Sequence, residues 1–588
     1  MCGIIGEFSS SAPLGTPVFS KCDLDLLKHR GPDSEGWYQD QYCMMGFRRL
    51  AIIDRMGGQQ PLYNEDKTIV LTVNGEIYNH HSIRRALSVN HNLKTKSDGE
   101  VLLHSYEEKG LNFLSDINGM FAFAIYDKRN KRLVLCRDRA GKKPLYYRKW
   151  HDHYIWSSEI KVLIRLGMPQ VNKVALSEYL RFGYVPAPLT MFEGIYKIPA
   201  GHMGVIENGQ QMRMEQYWSL KFVRDDWNEP VGNVLENTKS ELLRLFDSAV
   251  ESRLESEVPI GFLLSGGVDS ASVYASGANY LGNLRSHAFT IGFSDESVDE
   301  SKRAYDVVAK CGGQHNILNL QQNKADALVE VVSAVEEPVS TDALLPTNEV
   351  FSGIAQTNVV TVLAGEGSDE IFAGYNKFKY ATPWTKEYSK SFSSPLERYL
   401  AHEEFVFARK SERINLLDED CDSNRFEDME KEAAELDPLS QMLFFESKLR
   451  LPDRINSRLD RLSMLYSIEA RAPFMDYHFM EYCSRIPHRL RITPEVDKFI
   501  LREAMKPRLP ESVFKSKKIP FHAPKKWFTK SPLMDVYLSQ KAVNDAKLVN
   551  PRVVQDYIKL ATDRNNHSAA EKVYSLFVLH LWYACMYN

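Results

Sequence analysis

Three short stretches hold the residues best suited to chemistry: a cysteine at position 2, LLSGGVDS at 263–270 and GEGSDE at 365–370. Removal of Met1, usual before a small residue, would leave Cys2 carrying a thiol and a free α-amine. An N-terminal amine can act as the base that activates such a nucleophile. The two groups have ordinary pKa values of about 8.5 and about 7.7, close enough to share a proton near neutrality. In LLSGGVDS, Gly266 and Gly267 let the backbone pass close to a ligand, and Ser265 and Ser270 add hydroxyls. A helix is expected to start there, so its amide N–H groups and dipole suit phosphate. The Gly-Lys-Ser/Thr element of a Walker A loop is absent. Asp269 inside the turn, and Glu366, Asp369 and Glu370 in GEGSDE, supply carboxylates of the kind that hold Mg²⁺ beside phosphates.

The elements that must position these residues differ along the chain. The first 200 or so residues read as short strands (TIVLTVNGEIY, MFAFAIYD, RLVLCRD, HDHYIWSSE) with few helices, the best of them at 97–110. Many strands with a few helices predict a layered α+β sandwich. The Pro/Gly-rich stretch 185–202 reads as a linker. From about 240, helices alternate with the buried strands VPIGFLL, SHAFTIGFS and NVVTVLAG. Ala304, Val307, Val308 and Cys311 fall on one helical face. That alternation predicts a doubly wound parallel sheet, whose ligands sit at the carboxyl ends of strands. The distinctive loops 265–270, 292–299 and 365–370 all follow strands. Residues 384–440 are polar and helix-prone and read as a solvated insertion or cap. AEKVYSLFVLHLWYACM near the end reads as an apolar docked helix.

A chain of 588 residues is too long for one core. With 44% hydrophobic and 26% charged residues and a net charge of −4, the composition is that of a soluble globular protein with no bulk attraction to nucleic acid or an anionic membrane. No apolar run reaches a membrane span and no signal-peptide pattern opens the chain. Eight scattered cysteines without a CxxC pair argue for a reducing, cytoplasmic compartment.

SGGVDS resembles the pyrophosphate loop of the ATP-pyrophosphatase family, and MCGIIG the start of the N-terminal-nucleophile glutamine amidotransferases. Together, in this order, they resemble the glutamine-dependent asparagine synthetases. HRGPD (29–33), RRLAIID (48–54), QPLYN (60–64), VNGEIYN (73–79), SDGE (97–100), RDRAGKKPLYY (137–147), LAGEGSDEIFAGY (363–375), DRLSMLYSIEARAPFMD (460–476) and KFILREAM (498–505) extend the resemblance over nearly the whole chain. It implies an N-terminal-nucleophile hydrolase sandwich at 1–210 and an α/β ATP-pyrophosphatase domain at 211–588. It also implies a role for each candidate. Cys2 would attack the side-chain amide of glutamine, with Asn74 and the Gly75 N–H as oxyanion donors. Arg49 would hold the glutamine α-carboxylate, and Glu76 and Asp98 its α-amine. ATP would lie over Ser265–Ser270 and Gly365, with Leu263 and Ile291 flanking adenine and Asp269 and Asp369 binding Mg²⁺. Glu366 would serve the acceptor and the attacking ammonia, and Arg461 and Lys498 would balance charge on pyrophosphate. The implied acceptor is aspartate. An uncharged passage for ammonia between the domains is implied too, with Met464, Ala470 and Ala472 as candidate lining. A homodimer is one expectation for the assembly.

Several positions depart from the family pattern. Phe47 stands where histidine is expected, Arg458 where lysine is common, and Ala364 where serine is common. KKIPF (517–521) lacks a glycine. STDALLPTN (340–348) places Asp342, Leu344 and Leu345 where an arginine and small hydroxyl residues are expected near the acceptor. The last departure leaves open a pathway-specific amide synthetase that amidates another metabolite, glycan or peptide carboxylate. A non-catalytic relative is disfavoured, because it would gain nothing from keeping Cys2, Asn74, Asp269, Glu366 and Asp369.

Overall fold

The computed structural model describes residues 2–88, 91–207, 209–225, 227, 232–282, 286–293, 299–320, 327–402, 406–515, 531–561 and 566–587. KKIPF and most of the 292–299 loop lie outside them. The first of two six-stranded antiparallel sheets has the order Ile195–Lys197, Tyr146–Trp150, His153–Ser157, Cys2–Phe8, Cys43–Arg49, Ser34–Gln39. The second has the order Arg213–Gln216, His202–Glu207, Arg132–Arg137, Gly119–Asp127, Ile69–Ile77, Leu62–Tyr63. Two sequence expectations change here. Residues 185–202 are not a linker, because Ile195–Lys197 pairs with Tyr146–Arg148 as an edge strand. The sandwich also runs past residue 210, since Arg213–Gln216 pairs with His202–Val205.

Side chains alternate across a strand, so parity decides which residues face the gap between the sheets. Ile69, Leu71 and Val73 turn outward and pack with Val101, Leu102 and Phe113 of the covering helical layer. Val70 turns inward and meets Cys2, Ile4 and Phe8 of the first sheet in one buried cluster. Asn74 shares Val70's parity and Cys2 that of Ile4. The two residues therefore meet between the sheets although 72 positions separate them. Phe47, at the expected histidine position, is fully buried in the same cluster.

The second domain is built on a five-stranded parallel sheet in the order Gln314–Leu320, His287–Phe293, Ile260–Leu263, Thr361–Leu363, Glu469–Arg471. From Ile260–Leu263 the chain winds to one side, and Thr361–Leu363 begins the other. The strand order reverses between these two neighbours, and their carboxyl ends carry the SGGVDS and GEGSDE loops. Ligands of open α/β sheets bind at such a switch point. Residues 384–440 form short helices, among them Pro395–Leu400, Glu427–Ala434 and Pro438–Phe445. They are more than a solvated insertion: Leu396, Tyr399, Phe426 and Leu439 form a buried cluster with Phe182 and Tyr184. The His567–Tyr587 helix buries Leu576–Leu579, Leu581 and Trp582 in the largest core.

Candidate active sites

Cys2 is 6% exposed and stands opposite Arg49 in the strand register. Its backbone nitrogen, the α-amine once Met1 is removed, donates to Asn74 Oδ1 at 2.9 Å. Its carbonyl accepts from Arg30 Nε at 3.1 Å. Burial pushes the thiol up, while the positive chain terminus, a backbone contact of Leu50 and the Arg49 guanidinium draw it back down. The amide Nδ2 of Asn74 is buried without a hydrogen-bond partner. A buried donor left unpaired costs about 1–3 kcal/mol, so an incoming oxygen that accepts from it is favoured. Gly75 follows at φ +150°, where a Cβ would lie 2.0 Å from the Met120 carbonyl oxygen; only glycine fits.

Arg49 is pinned by the carbonyls of Ile53, Asp54 and Arg55. Glu76 and Asp98 lie close together and buried. Burial first, then Asp98 and Glu469, holds Glu76 well above the usual carboxylate range, and burial raises Asp98 although it accepts from Ile77 N at 2.6 Å. Glu76 Oε2 has no hydrogen-bond partner. Two buried acids of this kind favour a bound cation such as an α-ammonium.

Behind Cys2, Leu50, Ile52 and Met120 of the first domain pack on Met464 of the second, with Val258 and Val360 beside them. Met464 thus packs at the contact between the domains. Ala470 and Ala472 pack instead in the two large cores. Buried charges flank this apolar cluster. Arg30 pairs with Glu159 and Asp460, and Lys143 with Asp460.

The second site is a cavity of about 920 Å³. Leu263, Ser265, Gly267, Asp269, Ser270, Ile291, Gly365, Glu366, Asp369 and Lys498 all line it. Gly266 does not, but shapes the turn at φ +82°, where a Cβ would meet Ala304 N at 2.8 Å. The 14-residue helix Val268–Leu281 aims its N-terminus at the opening. Ser265 and Ser270 hydroxyls lie 3.1 Å apart. Leu263, Leu264, Phe289, Ile291 and Val350 form an apolar end. Lys498 Nζ lies 2.5 Å from Asp269 Oδ2 and 2.6 Å from Asp369 Oδ1. The two carboxylates thus converge on one cation point, and Asp269 and Asp369 would be the residues to hold a Mg²⁺ ion. Burial raises Glu366, opposed by Arg458, whose Nη2 is 3.6 Å away.

Arg461 is placed elsewhere than expected. It does not line the cavity; it is 2% exposed at the domain interface, 2.9 Å from Glu159 and 2.9 Å from Glu336. In STDALLPTN, Leu344 and Leu345 are core, and Thr341 and Ala343 are the residues that face the cavity.

A family model described as "Glutamine amidotransferase domain" matches residues 1–218, and one described as "Asparagine synthase" matches residues 241–584. The chain belongs to the asparagine synthase family. It is an ATP-dependent, glutamine-hydrolysing ligase of that family. Similar relatives include the glutamine-hydrolyzing asparagine synthetase 1 of Bacillus subtilis, 27% identical over 99% of this chain and 96% of its own. The glutamine-hydrolyzing asparagine synthetase 3 of the same organism is 30% identical over 89% and 87%. The amidase chry2 of Gibberella zeae is 26% identical over 97% of each chain. Among the described residues no helix is long and apolar enough to cross a membrane.

Within this asparagine synthase domain the cavity also presents a row of arginines, of which the sequence marks only Arg458, and the loop acid Glu370. Arg450, Arg454 and Arg458 recur every fourth residue through the Glu446–Asn456 π-helix into the next helix and line one wall. An i, i+4, i+8 series shares one face of a helix. Glu370, seen in the sequence only as a loop acid, is pushed up to about 7 by burial, then by Asp369 and Glu446, and accepts from Tyr375 Oη at 2.5 Å.

Proposed function

We propose that the protein moves the amide nitrogen of glutamine to the side-chain carboxylate of aspartate, cleaving ATP to AMP and pyrophosphate. Cys2 Sγ attacks the glutamine amide carbon. The α-amine held on Asn74 Oδ1 takes the thiol proton and returns one to the departing ammonia. Asn74 Nδ2 and the Gly75 N–H receive the developing oxyanion. Arg49 holds the substrate's α-carboxylate, and Glu76 with Asp98 its α-ammonium. Water then cleaves the thioester to glutamate.

In the cavity, adenine lies against Leu263 and Ile291 and the phosphates lie over Ser265–Ser270. The acceptor carboxylate attacks the α-phosphorus and pyrophosphate leaves. Lys498 follows the charge that builds on it. Mg²⁺ held by Asp269 and Asp369 neutralises phosphate charge when bound. Ammonia then attacks the acyl adenylate and AMP departs, with Glu366 accepting the proton that ammonia loses. Arg450 and Arg454 offer the cationic wall that a second carboxylate on the acceptor needs.

What supports this reading is the apolar contact in which Leu50, Ile52 and Met120 of the first domain pack on Met464 of the second. Ammonia released into water at neutral pH becomes ammonium, which is no nucleophile; transfer along that apolar contact would avoid this. A specific observation favours a second reading, amidation of another carboxylate. The amidase-named relative matches as much of the chain as the synthetases do, at similar identity. AMP formation by the purified enzyme with glutamine, ATP, Mg²⁺ and a panel of carboxylates separates the two. Aspartate as the best acceptor supports the first, and AMP only with a different carboxylate replaces it with the second.

A further inference from the structure

A cluster of ionisable groups on the amidotransferase domain takes no part in this chemistry. Glu65 follows the Leu62–Tyr63 strand, His91 lies in the loop after the first helix, and His104 and Glu107 stand one turn apart on the Glu100–Lys109 helix. Their ligand atoms all lie within 4.8 Å of one another. His91 Nδ1 and His104 Nδ1 are 3.1 Å apart. Glu65 Oε1 is 3.7 Å from His91 Nδ1, and Glu65 Oε2 is 3.9 Å from His104 Nδ1. Glu107 Oε2 is 3.8 Å from each of the two nitrogens. Tetrahedral zinc with bonds of about 2.0–2.1 Å sets its ligand atoms about 3.3 Å apart. The cluster is a slightly expanded version of that tetrahedron.

Two independent features point the same way. The outward nitrogen of His91 faces a carboxylate, Nε2 lying 3.3 Å from Glu108 Oε1, while that of His104 lies 3.8 Å from Glu100 Oε1, within ion-pair but not hydrogen-bond distance. Backbone donors anchor both acids, Ser88 N on Glu108 at 2.8 Å and Lys94 N on Glu100 at 2.7 Å. Metal-bound histidines commonly give their second N–H to such a carboxylate, which turns the lone pair of the first nitrogen toward the metal. The second feature is Glu107 itself. Asn64 Nδ2 donates to its Oε1 at 3.0 Å, while its Oε2 is buried, without a hydrogen-bond partner, and turned into the cluster. A buried carboxylate oxygen without a donor is costly unless a cation reaches it.

We propose that His91, His104, Glu65 and Glu107 form a zinc site with both histidines bound through Nδ1. The two carboxylates balance the 2+ charge, and the imidazoles select zinc over Mg²⁺ or Ca²⁺. Four protein ligands leave no open position, so the site is structural. It fastens the segment that leads to Asp98 onto the Glu100–Lys109 helix.

The test uses untagged full-length protein from zinc-supplemented culture, with metal content measured after gel filtration. The expected result is about one zinc per chain, removed by chelator. Refilling the stripped protein with Co²⁺ should give the intense visible absorption of a four-coordinate site. His104→Gln and Glu107→Gln should each lower zinc affinity at least tenfold, by the order expected for loss of a ligand or its support. Glu107 is 21% exposed, and glutamine keeps its size, so Glu107→Gln decides the matter if the histidine variant fails to fold. Wild-type protein that neither contains zinc nor takes up zinc or cobalt after stripping overturns the proposal. So does unchanged affinity in Glu107→Gln.

Discussion

Replacing Asn74 with alanine isolates the oxyanion chemistry from the fold. In the folded chain Asn74 accepts one hydrogen bond, from Cys2 N, and its Nδ2 donates none to protein. The loss to stability is therefore one buried bond, about 1 kcal/mol, plus a small void. The loss to catalysis is larger. Removing one preorganised oxyanion donor lowers kcat by about 10²–10³, equivalent to about 2.7–4 kcal/mol. Release of the α-amine from Oδ1 adds to this. Glutamate release from glutamine should fall by about 10³ in kcat, while AMP formation with saturating ammonium and the acceptor stays near wild type. The two rates are read on the same preparation, with Tm as a check on folding. A glutaminase kcat within about threefold of wild type, or an equal fall in both activities, refutes the assignment of Asn74 as a donor acting only at Cys2.

Gly374→Ala would place a Cβ 2.0 Å from both Asp369 Oδ1 and Lys498 Cε, so pyrophosphate release should collapse while glutaminase activity stays; intact pyrophosphate release contradicts the convergence of Asp269, Asp369 and Lys498 on one ligand. Glu370, pushed up to about 7, holds a proton in the folded chain that the unfolded chain loses near pH 4.3, so its contribution to stability falls as pH rises between about 4.3 and 7. Glu370→Gln should accordingly gain in Tm over wild type on going from about pH 5 to about pH 8, and a difference independent of pH contradicts the shift. Arg461→Met leaves Glu336 and Glu159 buried, Glu159 keeping Arg30 and Lys161, so a stability loss of about 3 kcal/mol is expected by denaturant titration. Wild-type stability with only AMP formation impaired would return Arg461 to the reaction centre.

The sequence made the two cavity loops and most of the strands legible because local signals carry them. The β-rich run TIVLTVNGEIY marks the strand that carries Asn74, and the glycines of SGGVDS mark a turn before a helix. What it hid depends on distant partners. Ile195–Lys197 lies among prolines and glycines, and only its pairing with Tyr146–Arg148 makes it a strand. Glu469–Arg471 is short and charged; it enters the parallel sheet because Arg471 pairs with Glu469 at 2.6 Å and donates to the Arg253 and Glu255 carbonyls. Arg461 stands in the same motif as Met464. Its partners Glu159 and Glu336 lie more than a hundred residues away, so nothing local announces that it braces the domain interface. Arg450, Arg454 and Arg458 share one helical face by spacing alone, but nothing local says that this face lines the cavity.

Transfer of nitrogen between the sites of two domains that meet at an apolar contact is the central claim, and isotope dilution tests it most directly. The enzyme receives glutamine carrying ¹⁵N in its side-chain amide, ATP, Mg²⁺ and aspartate, together with excess unlabelled ammonium too dilute to drive synthesis alone. The account predicts asparagine whose amide carries nearly the full ¹⁵N enrichment of the glutamine. Asparagine diluted to the value for complete mixing with the solvent ammonium, or no asparagine while AMP forms with another carboxylate, would contradict it.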